Sequence, residues 1–179
     1  FTSGDFILDH DVILVTTNYR LGPFGWFAYS GLNQDSENPL DSTANFGTLD
    51  IIKSLEWVNK YISFFNGDPE NITIFGESAG ARNVISLMSS PLSKDLFQRG
   101  ISQSGYLGSD SLEYSENNER AGSLSLLKYL IKSENPNIAD EELSNFIGNK
   151  LLSKEFLRSA NANEIISYYR VRNDTGGLI

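Results

Sequence analysis

Residues Gly76-Glu77-Ser78-Ala79-Gly80 set a serine between two glycines, in the Gly-x-Ser-x-Gly order of a nucleophile elbow. In such an elbow a strand turns sharply into a helix, and the glycines let the two approach closely around a serine whose hydroxyl projects into a cleft. The bare pattern is weak in a chain rich in Gly and Ser, so its setting decides. Ile72-Thr73-Ile74-Phe75 precedes it as a short β-branched strand, and Ala81 to Ser89 follows it as the start of a helix. That setting makes Ser78 the candidate nucleophile; a serine that merely caps a helix would not need two flanking glycines. At a helix start the Ala79 N–H points toward the oxyanion of a tetrahedral intermediate, and the helix dipole favours that charge. Glu77 is a candidate pocket residue: it could tune the electrostatics around the nucleophile, or only brace the turn.

A serine hydroxyl is hardly ionised near neutral pH and needs a base, normally an imidazole held by a carboxylate. The chain has one histidine, His10. It precedes the run Val12 to Thr17, whereas Ser78 follows the strand Ile72 to Phe75. In a parallel sheet the two stand at opposite edges, roughly 15 Å or more apart at about 3.3 Å per residue. His10 reads as a polar residue of the turn Leu8-Asp9-His10-Asp11, and the base is expected outside these residues.

The elements that must position Ser78 alternate. Val12-Ile13-Leu14-Val15-Thr16-Thr17 is nearly continuous and β-branched, and is expected to form a strand buried on both faces. Asn18 to Gly47 is a long connection dense in turn formers. Gly22 and Gly25 shape a turn there, and Gly22 is a candidate to line the acyl pocket, because this loop follows a strand end on the catalytic side. Thr48 to Phe64 has helical spacing and stops at Asn66-Gly67-Asp68-Pro69. Gly100 to Ser104 is a further short strand. Strand, helix, strand, helix, strand implies a parallel sheet with helices on its faces, an α/β fold. Beyond Gly105 the pattern turns helical, over Arg120 to Ile131, Asp140 to Ile147 and Asn163 to Tyr169. Residues 1–106 thus read as a sheet core and 107–179 as a helical excursion or cap, both parts of a single domain. Arg20 and Asp50 are expected to form a structural ion pair rather than to touch substrate.

The 179 residues are 40% apolar and 12% aromatic, a globular composition. A net charge of −9 without a basic cluster argues against nucleic acid as a partner. No apolar run approaches the roughly 20 residues of a membrane span, and the N-terminus lacks the order of a signal peptide. The absence of cysteine excludes disulfides and thiolate chemistry within the chain but leaves the compartment open. Two glycosylation sequons, at Asn71 and Asn173, are about what chance yields. The abrupt start at Phe1-Thr2-Ser3-Gly4 reads as that of an internal piece of a longer protein.

Five blocks, in order, resemble the carboxylesterase type B and cholinesterase family of α/β-hydrolases: Asp11 to Gly22, Asn45 to Asp50, Phe65 to Pro69, Thr73 to Gly80, and Ser90-Pro91-Leu92 through Ile101 to Gly105. The resemblance is close from Phe1 to about Tyr106. It implies hydrolysis of a small-molecule carboxylic ester through an acyl-enzyme on Ser78, with no metal or organic cofactor. It also implies that Phe1 ends a His-Gly-Gly-type oxyanion segment, and that the triad acid and histidine lie after Ile179. Only Ser78 and the Ala79 N–H carry over to named positions. Thr48 and Asn66 depart from residues usual in the family, and neither touches the chemistry. The same family includes adhesion molecules without catalysis, and a non-catalytic binding protein or truncated remnant is the alternative; those relatives characteristically lose the serine that Ser78 keeps. The 179-residue chain by itself is expected to be inactive, and the oligomeric state and natural ester are open.

Overall fold

The computed structural model describes residues 10–32 and 36–172, the side chain of Arg172 excepted. Phe1 of the implied oxyanion segment and the sequon at Asn173 lie outside the described residues. The chain divides into two compact units, one of residues 1–20 and 47–108, the other of 21–46 and 109–179.

The first unit is built on a strand–helix–strand motif. Helix α1, Phe46–Tyr61, runs into a 3-10 turn at Ile62–Phe65, which stops where Asn66 takes a left-handed conformation at φ 63° and its N–H reaches back to the carbonyls of Ile62 and Ser63. Strand β1, Thr73–Glu77, leads through Ser78 into helix α2, Ala79–Ser89, and strand β2, Arg99–Gln103, returns parallel to β1. The register pairs Thr73 with Arg99 and Glu77 with Gln103. Parallel strands require a crossover, and α2 supplies it while packing against both. Ile51, Ile52 and Leu55 of α1 and Leu87 of α2 form the core of this unit, with Ile74, Leu96 and Phe97 packed against it.

The run 12–17 departs from expectation. It carries no strand in the described residues, and Val12, Ile13 and Val15 are about half exposed. An apolar β-branched run becomes a strand only when a neighbouring backbone completes its ladder, and no described segment pairs with it. The observed order in this unit is therefore helix, strand, helix, strand.

The second unit is helical: α3, Leu112–Asn117; α4, Ser123–Glu134; α5, Asp140–Gly148; α6, Lys150–Ser159; and α7, Ala162–Arg172. Leu126, Leu127, Leu130 and Ile131 put one stripe of α4 into a core shared with Leu143, Leu157, Tyr168 and Tyr169, and segment 21–46 adds Tyr29. Glu116 ties the unit together: it accepts from the Ser30 N–H at 3.1 Å and the Ser30 hydroxyl at 2.8 Å, and lies 3.5 Å from Lys150 Nζ. Helices α3 and α6 were not anticipated from the sequence. No helix among the described residues is long and apolar enough to cross a membrane.

Candidate active site

β1 is short because the chain must turn at once. Its ladder runs one residue past the strand, with the Ser78 N–H donating to the Gln103 carbonyl at 3.0 Å, and the Ser78 carbonyl then accepts from Arg82 N–H at 3.1 Å to open α2. Ser78 is thus hydrogen-bonded to the sheet on one side and to the helix on the other. Its backbone sits at φ 52° and ψ −113°, outside the regions a side-chain-bearing residue favours. Its hydroxyl makes no cap to the helix, which removes the helix-capping reading, and the residue is exposed.

The two glycines have different parts. A Cβ on Gly76 would stand 2.9 Å from Gly80 Cα and closer still to its carbonyl group, so only glycine lets the strand end lie against the helix start. A Cβ on Gly80 would meet nothing within 4 Å. The expectation that both glycines relieve crowding therefore holds for Gly76 alone; Gly80 offers the backbone that Gly76 approaches.

Ala79 is the first residue of α2, and its amide belongs to the first-turn groups that a helix ladder leaves without an acceptor. Glu77 ends β1 and is exposed. Gly22, at φ 54°, opens a tight turn at Gly22–Phe24 and belongs to the second unit, not to the unit that carries Ser78. His10 is exposed, and among the described residues no carboxylate holds its ring.

The pair foreseen between Arg20 and Asp50 is formed. Arg20 Nη2 donates to Asp50 Oδ1 at 2.8 Å, and Arg20 Nε and its backbone N–H each donate to Oδ2 at 2.9 Å. These bonds hold the Asp50 carboxyl below the usual carboxylate range and raise the guanidinium. The pair fastens the end of the 12–20 segment to α1.

Sequence reasoning missed the pairing of Arg82 with Tyr106, whose ring centroid lies 4.4 Å from the guanidinium carbon. A cation and an aromatic residue 24 positions apart give no local signal; only the parallel return of β2 brings them together. Cavities among the described residues lie elsewhere. One of about 680 Å³ in the second unit is lined by Phe24, Phe27, Leu126 and Leu157 with Lys154 and Arg158, and one of about 520 Å³ borders α1 at Trp57.

This geometry has counterparts. The para-nitrobenzyl esterase of Bacillus subtilis is 46% identical over 95 residues, covering 53% of this chain and 18% of that protein. Carboxylesterase 5A of Mus musculus is 44% identical over 117 residues, covering 65% of this chain and 19% of its own length. A solved PNB esterase superposes with a TM-score of 0.58 at 29% identity, over 89% of this chain and 28% of that structure. The chain thus spans under a fifth of the length of these curated relatives, and its fold is part of an α/β-hydrolase. The model of the carboxylesterase family matches residues 2–176, nearly the whole chain, and the chain belongs to that family.

Proposed function

We propose that the protein carrying this chain hydrolyses small-molecule carboxylic esters, with Ser78 as the nucleophile. The observation that carries this reading is the backbone of Ser78, an exposed residue held at φ 52° between β1 and α2 with its hydroxyl committed to no cap. A strained residue costs about 1–3 kcal/mol and persists where its surroundings over-determine it, which is characteristic of functional positions. The likeness to named esterases supports the same chemistry.

Ser78 Oγ attacks the ester carbonyl as a base takes its proton. The oxyanion that forms is met by the Ala79 N–H at the positive end of α2. Collapse expels the alcohol, protonated by the same base, and leaves an acyl group on Ser78; water activated by the base then releases the acid. Base and acid are supplied from outside these 179 residues. Among the described residues no carboxylate orients His10, which supports that assignment, since a catalytic imidazole is held by a carboxylate. A pocket role for Glu77 forms part of this reading, as a position next to the nucleophile and not as a reacting group.

Ser78→Ala is expected to lower kcat for a short p-nitrophenyl ester by about 10⁴-fold or more in the whole protein, with an unchanged circular dichroism spectrum. Turnover that persists in this variant refutes the nucleophile.

A further inference from the structure

Arg82 breaks a local rule. It stands one turn into α2, where the positive end of the helix dipole disfavours a cation, and the first turn holds no acidic residue to offset it. No ion pair among the described residues engages it, including with the nearby Glu77. What holds the guanidinium is the face of Tyr106, at 4.4 Å. The chain is shaped for that contact. A Cβ on Gly105 would stand 2.8 Å from Ala81 Cβ, so the glycine lets the segment leaving β2 lie against the first turn of α2 and sets Tyr106 beside Arg82. Ser78 and Tyr106 follow the ends of two parallel strands, so both belong to the same edge of the sheet. Arg82 is half-buried and Tyr106 is 60% exposed.

A cation kept at an unfavourable place, with no carboxylate partner among the described residues, suits an anion that arrives. We infer that Arg82, stacked on Tyr106, selects esters that carry a carboxylate close to the scissile bond. The inference rests on Ser78 being the nucleophile and adds the substrate class. A planar guanidinium matches a carboxylate in a two-pronged geometry, and the ring fixes its plane beforehand. Arg82 is a specificity residue here; it takes no part in bond making.

The test uses the whole protein and two phenyl acetates of similar shape, anionic 4-acetoxybenzoate and neutral 4-acetoxybenzamide. Arg82→Ala is expected to lower the ratio of their kcat/KM values, anionic over neutral, by about tenfold or more, through KM of the anionic ester. Arg82→Lys, which keeps the charge but not the fork, is expected to recover part of the ratio. Raising salt from about 20 mM to about 500 mM lowers the ratio in the wild type and leaves it flat in Arg82→Ala. A ratio that stays within about twofold in Arg82→Ala while the neutral ester is turned over through Ser78 overturns the role of Arg82 alone, as does an equal loss on both esters. Absence of turnover on both esters in the wild type overturns the hydrolase reading, and this inference with it.

Discussion

Ser78 has no freedom to relax, and the reason is one atom that is absent two residues earlier. Gly76 lies so close to the backbone of Gly80 that any Cβ there would force β1 and α2 apart, and with them the hydrogen bonds that fix Ser78 to Gln103 and Arg82. Gly76→Ala is therefore expected to cost about 1–3 kcal/mol of stability by overpacking, and to lower kcat more than thermal stability alone accounts for. Gly80→Ala places its methyl group in open space within a helix, where alanine is the better former, and is expected to leave stability within about 1 kcal/mol of the parent. Thermal melts paired with ester kinetics on the two variants check the contrast. Equal losses would mean that the elbow needs both glycines for the same reason.

Among the elements, the ones that position Ser78 were the most legible. Strands β1 and β2 and helix α2 fall within one or two residues of their expected bounds, because a β-branched run, a glycine turn and helical spacing agree there. Helix α6 was hidden by Ser153, which occupies a core-facing position and breaks the apolar period. Its buried hydroxyl donates to the Phe146 carbonyl at 3.0 Å, a satisfaction that no sequence pattern displays. Helix α3 has six residues, too few for a period to register. The run 12–17 failed in the opposite sense, since its composition is that of a strand but a ladder needs a second backbone. That segment is instead held at its end by Arg20 on Asp50, and the pair sets a pH dependence. The Asp50 carboxyl is lowered on folding, so its contribution is present above the ordinary aspartate pKa of about 3.9 and is lost as pH falls through the lower folded value. The pair is partly exposed, with side-chain accessibilities of 53% and 27%, so screening limits it to about 1 kcal/mol. Asp50→Asn is expected to destabilise by about that amount at pH 7, with the difference closing in denaturant titrations as the pH falls through the lowered Asp50 pKa. A difference independent of pH would locate its origin in packing rather than charge.

For the molecule as a whole, a nucleophile and a helix N-terminus are only part of a hydrolase. Within these 179 residues the sole imidazole is His10, and without a base the serine hydroxyl stays protonated near neutral pH. Removing one member of a catalytic group costs nearly as much as removing them all, because the members act on one proton. The isolated 179-residue chain is accordingly expected to hydrolyse p-nitrophenyl butyrate no faster than the same chain carrying Ser78→Ala, between pH 6 and 9. Its surface points to a second property: β2 is exposed along its length, and Phe64 and Phe65 are 81% and 58% exposed. An open strand together with exposed aromatics favours association, while a net charge of −9 opposes it. Association of the isolated chain should therefore grow as pH approaches its isoelectric point of about 4.6, which sedimentation at a series of pH values would follow. Ser78-dependent hydrolysis by the isolated chain would return His10 to the role of base, because no other side chain in the sequence titrates near neutrality unperturbed.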